Sequence, residues 1–475
     1  MLLLYIIYMM GPKRFFIKHT TASKEQPKYV RSKEHIWLII VESPSKCTKI
    51  EHLLGSQYKC IATKGHLRTI SGLRSINPHK NYEIKFSTIT GKGTHIEWMR
   101  DIIAQFPPDK VLLGSDDDRE GEAIAWLICD IFKLSVVDTP RILFHEITKS
   151  ALEIAVREPT HIKMNLVHAQ WARQVLDVLI GYKVSPLLWK YMYSHKDNPL
   201  SAGRCQTPAL RFVYDNEMER LHSEGPTCAY RITAQFSQYK LDFILNHEFD
   251  QSESVKEFLK KSITFPHLLK MGSPRDSVQS APKPFNTSAL LQTCSHILRL
   301  SPTETMSLCQ ELYQSGFITY MRTENKKYSR QFLNIAKGYI DSYYGEKCVG
   351  NLAILENNNS ANPHEAIRVT NIQISTLDIT GQTARSATKK AALYKLIWKN
   401  TVQSCMANAI MELTDILVDA PDNMSYKHTV EIPKFLGWKG CVVPGSGTDV
   451  NTNEQTKGET VLRFLHDMTG SCVDF

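Results

Sequence analysis

The strongest constraint on the fold is a short apolar run followed at once by a crowd of acidic side chains. Val111–Leu113 has the composition of a buried strand, and apolar residues recur at helical spacing over 123–132. Between them, five carboxylates lie within the seven residues 116–122. This order predicts an acidic turn at the carboxyl end of a strand, where open α/β sheets place their sites.

The acidic turn has two interpretations. Carboxylates this close together repel one another, so the turn is favoured if it binds a hard cation such as Mg²⁺, which takes oxygen ligands. The candidate ligands are Asp116, Asp118 and Glu120. A solvated acidic loop is the alternative, but the strand before the turn and the helix after it favour the cation site.

A second strand ends in a similar way. Trp37–Val41 is apolar and is followed by Glu42, while Ser43 and Pro44 suit the start of a helix. The chain thus has a strand, an acidic residue and a helix, and later a second strand, a D-x-D turn and a second helix. This arrangement resembles the TOPRIM domain of topoisomerases, primases and some nucleases. The resemblance implies that the two strands lie side by side and bring their carboxylates to one metal.

Composition limits the class of protein more weakly. A chain of 475 residues is long enough for three or four domains, and its net charge of +9 suits a polyanion partner. The 11 cysteines include no C-x-x-C pair, which argues against a zinc ribbon and gives no disulfide framework. We therefore expect reduced thiols and an intracellular protein.

The first residues are apolar but too few to span a bilayer, and they lack the charged start of a signal peptide. We expect a disordered leader at 1–32, and organelle targeting by residues 1–30 stays open. No other apolar segment reaches membrane length, so we expect a soluble protein without a membrane partner.

The element pattern predicts α/β, helical and β-rich parts in succession. Within the first helical part, Gly181 and Tyr182 are expected to break a helix that restarts near Ser185. The predicted segments are a leader at 1–32, an α/β domain at 33–150, helices at 151–220, a β-rich arch at 221–280, helices at 281–404, the return of the arch at 405–443 and a polar tail at 444–475, with a loop expected over 444–456.

Tyr320 follows an apolar helical pattern, where a tyrosine is normally part of the core. Arg322 changes that interpretation, because in an extended segment residues i and i+2 face the same side. An arginine there can hold the phosphate that the tyrosine attacks, and a tyrosine of pKa about 10 needs such a cation to become a nucleophile. Further on, His364 and Arg368 offer another phosphate contact.

Taken together, these motifs resemble those of type IA DNA topoisomerases, and 318–323 is closer to the topoisomerase I branch than to the topoisomerase III branch. The match covers about residues 36–440, and its motifs follow the family's order at 41–46, 116–122, 144–148, 201–208, 318–323 and 364–368.

The family resemblance implies a multidomain toroid with an α/β TOPRIM domain, helical domains and a discontinuous β-rich arch. It implies relaxation of negatively supercoiled DNA through a 5′-phosphotyrosine on Tyr320. Glu42 would protonate the leaving 3′ oxygen, and Lys46 and Arg322 would offset phosphate charge. Mg²⁺ would be held by Glu42, Asp116, Asp118 and Glu120.

The implied substrate is single-stranded DNA within negatively supercoiled duplex. The chain contains no P-loop motif, so we expect no use of ATP, and we expect a monomer. The candidate DNA-binding residues are His66, Arg141, Arg173, Asp177, Tyr182, Trp189, Ser201, Ala202, Gly203, Arg204, Cys205, Gln206, Arg322, His364 and Arg368.

Family chains continue well beyond the region of Trp438, so the sequence is expected to be truncated at its C-terminal end, with strand cleavage kept and plasmid relaxation weakened. Two other classes stay open. One is a single-strand DNA-binding protein impaired in catalysis. The other is a TOPRIM primase or nuclease, which would not need Tyr320 beside Arg322.

Overall fold

The computed structural model of the chain describes residues 36–192, 200–222, 228–235, 241–358, 364–377, 384–442 and 450–470. The predicted leader at 1–32, and with it any targeting by residues 1–30, lies outside the described residues. The chain forms two compact units, Met1–Ser223 and Glu224–Phe475. Among the described helices, none has the length and apolar composition needed to cross a membrane.

The first unit is organised around a small parallel sheet. Its strands are β1 (Trp37–Val41), β2 (Tyr58–Ala62), β3 (Arg68–Thr69), β4 (Ile76–Asn77), β5 (Glu83–Ile84), β6 (Ser87–Thr88) and β7 (Val111–Leu113). β1 lies between β2 and β7 and is parallel to both, with Ile40 opposite Ile61 on one side and Leu113 on the other. Every residue of β1 after Trp37 is buried, as expected for a strand covered on both faces.

Six helices of the first unit accompany this sheet among the described residues. They are α1 (Pro44–Leu54), α2 (Gly93–Ile103), α3 (Arg119–Phe132), α4 (Lys149–Arg157), α5 (Met164–Tyr191) and α6 (Gln206–His222). α3 begins at the acidic turn, because the Asp118 carboxylate accepts a hydrogen bond from the Gly121 N–H at 2.8 Å and caps the helix. The apolar face of α3 packs in one core with residues of β1 and β7. The acidic turn is therefore anchored to a rigid core.

The predicted helix break at Gly181 and Tyr182 is wrong, because α5 runs on to Tyr191 with Pro186 inside it. A proline costs the helix one backbone hydrogen bond, but tertiary contacts compensate for it. The first half of α5 is held by Trp171 against Trp126 of α3, with ring centroids 4.6 Å apart. The second half is held at Ser185, whose hydroxyl accepts a hydrogen bond from the Ala202 N–H at 3.0 Å.

The second unit contains a sheet that is discontinuous in sequence. Its strands are β8 (Tyr230–Gln235), β9 (Asp242–Phe249), β10 (Leu269–Met271), β11 (Arg275–Gln279), β12 (Ala409–Asp419) and β13 (Ser425–Phe435). They lie in the order β10–β12–β13–β9–β8, with β11 also paired to β12. Gln279 faces Ala409 across the β11–β12 pair, so the chain leaves the sheet after β11 and rejoins it at β12.

The residues between β11 and β12 form helices, and three of these helices begin at a capping side chain. The helices of this unit are α7 (Ser252–Ile263), α8 (Thr287–Thr293), α9 (Pro302–Gln314), α10 (Arg330–Tyr344), α11 (Ala384–Ser404) and α12 (Val450–Asp467). The Asn286 side chain caps α8, the Ser301 hydroxyl caps α9 ahead of Pro302, and the Ser329 hydroxyl caps α10. A π-helical turn, Cys294–Leu298, follows α8.

The loop predicted over 444–456 is wrong where the structure describes it, because 450–467 form α12. The polar composition of the segment concealed a narrow apolar face. Val461, Leu462 and Leu465 recur at helical spacing, and Leu465 is buried in the core of the β8–β13 sheet. Residues 443–449 and 471–475 of this tail lie outside the described residues.

Candidate active site

The carboxylates of two predicted metal ligands meet at one edge of the parallel sheet. Glu42 follows β1 and Asp116 follows β7 closely, and the parallel pairing of these strands brings their carboxyl ends together. A Glu42 carboxylate oxygen, Oε1, accepts a hydrogen bond from the Asp116 backbone N–H at 3.1 Å. Lys46 projects from α1 into the same cluster, is fully buried and forms an ion pair with the Asp116 carboxylate. The structure thus brings Glu42, Lys46 and Asp116 together.

Glu42 differs chemically from an ordinary surface carboxylate. Its pKa is raised to about 7, mainly by burial and secondly by the negative charge of Asp116. The positive charge of Lys46 offsets only part of this rise. A carboxyl group with such a pKa carries a proton for much of the time near neutral pH. It can therefore serve as a general acid, which a carboxyl of normal pKa could not do.

The remaining predicted metal ligands lie on the same turn. Asp118 is half-buried and uses Oδ1 to cap α3, and Glu120 is half-buried in the first turn of that helix. The donor set formed by these residues with Glu42 and Asp116 consists of carboxylate oxygens, which are the ligands that Mg²⁺ accepts. The chemistry of the site therefore fits the expected ion.

A glycine makes the sharp acidic turn possible. A Cβ atom on Gly121 would lie 2.0 Å from the Asp116 carbonyl oxygen, so no other residue fits without moving the backbone. The Ser115 hydroxyl donates to the Gly121 carbonyl at 2.7 Å and closes the turn from the other side. Gly121 was predicted only as part of a helix start, whereas the structure gives it a steric role.

The prediction that Arg141 contacts DNA is wrong. Its side chain is fully buried, and Nε donates to the Glu122 carboxylate at 3.1 Å. The same guanidinium donates to the carbonyls of Leu113, Ile142 and Asp116 at 2.8–3.0 Å. Arg141 therefore fixes the end of β7 and the acidic turn from beneath, as a positioning residue.

The loop that carries His66 folds over the end of β1. The Gly65 N–H donates to the Glu42 carbonyl at 3.2 Å, and the Lys64 and Gly65 backbones adopt positive φ angles of 59° and 91°. A glycine suits this left-handed conformation. The hydrogen bond places the loop next to the Glu42 backbone. His66, on this loop, is half-buried.

An Asp–His pair was missed among the acidic residues. Asp117 is buried at 6% exposure, and its Oδ2 lies 3.6 Å from Nε2 of His145. The predicted ligands were the alternating residues Asp116, Asp118 and Glu120, and Asp117 was not among them. A histidine in the segment after Arg141 was the available signal, but their proximity is a property of the tertiary fold.

The predicted DNA-binding segment 201–206 lies on the second half of α5. Arg204 donates through Nε to Asp177 at 3.0 Å, so Asp177 orients Arg204. Gln206 donates to both the carbonyl and the hydroxyl oxygen of Ser201, at 3.1 and 3.0 Å. Ala202 is buried, Gly203, Arg173 and Arg204 are half-buried, and Ser201, Cys205 and Gln206 are exposed.

Two predicted aromatic contacts are presented to solvent near this segment. Tyr182 is 56% exposed and its ring lies against Gly72, while Trp189 is 48% exposed and donates to the Leu200 carbonyl. Exposed aromatic rings beside basic side chains suit stacking with the bases of a single strand.

In the second unit, the Tyr320 segment pairs with the segment that follows His364. The Thr319 N–H donates to the Arg368 carbonyl at 2.9 Å, and Ile318 bridges Val369. Tyr320 is buried, with its ring 5.2 Å from Tyr313 and 6.3 Å from the half-buried His364. The structure therefore brings Tyr320 and His364 together.

The expected common face of Tyr320 and Arg322 does not hold, because Tyr320 is buried and Arg322 is exposed. The backbone bends at Met321, where its carbonyl accepts a hydrogen bond from the Thr287 hydroxyl at 2.8 Å. The alternation of an extended strand ends at this bend.

The predicted phosphate contact of Arg368 is also wrong. Arg368 is buried at 4% exposure, donates to both carboxylate oxygens of Glu365 at 2.8 and 3.2 Å, and lies over the Phe332 ring. Burial pushes the pKa of Glu365 upward, but the charge and hydrogen bonds of Arg368 outweigh it and lower the pKa. The spacing of this pair, three residues apart, was the signal available in the sequence.

Comparison with known proteins decides the family. A family model described as DNA topoisomerase matches residues 161–467, and a Toprim domain model matches residues 37–147. The solved structure of full-length topoisomerase I from Thermotoga maritima is 32% identical with a TM-score of 0.68, over 87% of this chain and 68% of that chain. The chain belongs to the type IA DNA topoisomerases.

This type IA topoisomerase is of the topoisomerase I branch, and it is a DNA-binding enzyme of the isomerase class. The expected fold class is confirmed, with a TOPRIM α/β domain, helical parts and a discontinuous β-rich part. The carboxylate cluster at the ends of β1 and β7 lies within the Toprim match, and Tyr320 lies within the DNA topoisomerase match.

Proposed function

We propose that this topoisomerase relaxes negatively supercoiled DNA without ATP, by cutting one strand, passing the other and resealing the cut. The observation that carries this proposal is the cluster that Glu42 forms with Asp116 and Lys46 at the ends of β1 and β7, in a chain of the type IA family. A protonated carboxyl is suited to a cleavage in which an alkoxide leaves, because the leaving oxygen needs a proton.

In the cleavage step, the Tyr320 hydroxyl oxygen attacks a backbone phosphorus. The bond from phosphorus to the 3′ oxygen breaks, the 3′ oxygen takes a proton from Glu42, and the tyrosine proton passes to solvent. The 5′ phosphate is then joined to Tyr320. Religation reverses each transfer, and because the phosphotyrosine bond conserves the energy of the broken one, no nucleotide is required.

Two cations of the chain stabilise the negative charge of the phosphoryl oxygens in this proposal. Lys46 is preorganised, since it is fully buried at the acidic cluster and does not have to be desolvated during the reaction. Arg322 is exposed and offers a bidentate donor fork to a phosphate that approaches the Tyr320 segment.

The carboxylates of Glu42, Asp116, Asp118 and Glu120 would hold Mg²⁺, which supplies positive charge that keeps the phosphate and the cut ends in place for religation. Lys46 then has a second task, because its ammonium group balances the charge of Asp116.

The DNA contacts are proposed to be with the backbone and the faces of unpaired bases. Arg173, Arg204, Ser201 and Gln206 offer donors to phosphate and sugar, while Tyr182 and Trp189 offer stacking surfaces. Such contacts carry little sequence information, so the enzyme would favour single strands with weak sequence preference and would bind less tightly as salt rises. We propose that it acts as a monomer.

The test is a plasmid relaxation assay on the whole chain, with and without ATP, Mg²⁺ and chelator. Negatively supercoiled plasmid should be relaxed with Mg²⁺ alone, and relaxation should stop in chelator. ATP-dependent relaxation or full relaxation in chelator would contradict the proposal. Permanently nicked product would indicate a TOPRIM nuclease, and DNA binding without any covalent complex would indicate a DNA-binding protein impaired in catalysis.

A further inference from the structure

The backbone on both sides of Tyr320 is held by threonine side chains. Before Tyr320, the Thr319 hydroxyl donates to the Ala366 carbonyl at 3.1 Å. After Tyr320, the backbone is bonded by the hydroxyl of Thr287, the first residue of α8. The Thr287 contacts also adjoin Arg322, so they bear on both side chains of this segment that the cleavage step uses.

The Thr287 hydroxyl bonds the backbone of both residues that flank Arg322. Its hydrogen is shared between the carbonyl oxygens of Met321, at 2.8 Å, and Thr323, at 3.0 Å. Its oxygen accepts a hydrogen bond from the Thr323 N–H at 2.9 Å, and the Thr287 N–H donates to the Thr323 carbonyl at 3.0 Å. A hydroxyl has one hydrogen to donate and can also accept, so this side chain uses both capacities on the same short segment.

The start of α8, which carries Thr287, is itself fixed. The buried side chain of Asn286 caps the helix, and its amide nitrogen donates to the Glu324 carboxylate at 3.1 Å. One residue earlier, the Phe285 carbonyl accepts a hydrogen bond from the Ile367 N–H at 2.8 Å. Thr287 therefore presents its hydroxyl from a rigid position.

These bonds keep the backbone bent between Tyr320 and Arg322. In an unbent strand the two side chains would face the same side, but here Tyr320 is buried and Arg322 is exposed. The bend lies at Met321, whose carbonyl oxygen is one of the partners of the Thr287 hydroxyl. The hydroxyl thus holds the backbone conformation that presents Arg322 to an approaching phosphate.

We propose that Thr287 is a positioning residue for strand cleavage, whose hydroxyl holds Arg322 in the orientation that receives the phosphate attacked by Tyr320. This role rests on the proposed function. Thr287 acts through the backbone of the segment, so its loss should change the rate of cleavage and leave the affinity for DNA nearly unchanged. A displacement of about 1 Å in a catalytic group can cost about a hundredfold in rate.

The experiment measures single-turnover cleavage of a labelled single-stranded oligonucleotide by the whole chain, as covalent complex after a denaturant quench, at several protein concentrations. Thr287→Val keeps the shape of the side chain and removes the hydroxyl. Its maximal rate constant should fall by about tenfold to a hundredfold. The protein concentration that gives half of that rate should change by less than about threefold, because binding is not affected. Thr287→Ser, which keeps the hydroxyl, should restore most of the rate.

Two further comparisons separate positioning from a loss of stability. Thr401→Val removes another buried hydroxyl of the second unit, one that donates to the Ile397 carbonyl at 2.8 Å, and should cleave at the wild-type rate. In a chain that already carries Arg322→Ala, Thr287→Val should cause little further loss, because the group through which Thr287 acts is gone. If Thr287→Val does not fold, Thr287→Ala, which also lacks the hydroxyl, takes its place in each comparison.

Three results would overturn the proposal. They are a wild-type rate in Thr287→Val, a Thr287→Ser chain as slow as Thr287→Val, and a full additional loss when Thr287→Val is combined with Arg322→Ala. Failure of the proposed function would look different, because the unchanged chain would then form no covalent complex on Tyr320 with any oligonucleotide. The positioning role would fall with it in that case.

Discussion

Glu42 accepts a hydrogen bond from the backbone N–H of Asp116 at 3.1 Å, across the ends of two paired strands. This contact links the proposed general acid to the first residue of the acidic turn. Because the turn is fixed from beneath by Arg141 and sterically by Gly121, Glu42 is held in a rigid environment. That environment keeps its carboxyl buried beside a like charge and so raises its pKa.

The first prediction concerns pH. The raised pKa of Glu42, about 7, means that the carboxyl is protonated below that pH and loses its proton above it. Cleavage of a single-stranded oligonucleotide, measured in chelator so that no metal alters the titration, should therefore slow as pH rises through about 7. Glu42→Gln should be slower by about a hundredfold or more and should lose this dependence. A wild-type rate that is flat across neutral pH would count against Glu42 as the acid.

The second prediction tests whether Arg141 stabilises the fold or contacts DNA. Arg141→Met leaves Glu122 as an unpaired buried charge and should lower the free energy of unfolding of the first unit by about 3–5 kcal/mol. Urea unfolding followed by tryptophan fluorescence measures this change. Arg100→Met removes a half-exposed arginine paired with Glu97 and should leave stability nearly unchanged. Unchanged stability in Arg141→Met, with weaker DNA binding, would restore the DNA-contact interpretation.

The third prediction concerns Arg204. Arg204→Ala should weaken binding of single strands to a similar degree for all sequences and should reduce the slope of log affinity against log salt by about 1, because one phosphate contact is lost. Fluorescence anisotropy with labelled oligonucleotides at several salt concentrations measures both. Arg220→Ala, on α6 and paired with Glu217, is the matched control and should change neither. A loss confined to one sequence would instead indicate base recognition.

The parts that the sequence predicted well depend on local signals. β1, β7 and the acidic turn were predictable because apolar runs and the residues that end them are neighbours in sequence. The role of Arg141 was not, because an exposed arginine and a buried one that pairs with a residue far along the chain look alike until the tertiary fold is known. The continuity of α5 through Pro186 has the same cause, since contacts with distant residues override a local helix breaker.

The central claim is that Tyr320 becomes covalently joined to DNA, and one measurement tests it most directly. A single-stranded oligonucleotide is incubated with the chain, the reaction is quenched with denaturant, and the covalent complex is digested and mapped by mass spectrometry. The account predicts a 5′ phosphate on Tyr320, no complex with Tyr320→Phe, and DNA binding by that variant within a few fold of wild type. Tyr328→Phe, which alters another buried tyrosine, should still form the complex. A covalent complex that persists in Tyr320→Phe, or a phosphate mapped to another residue, would contradict the account.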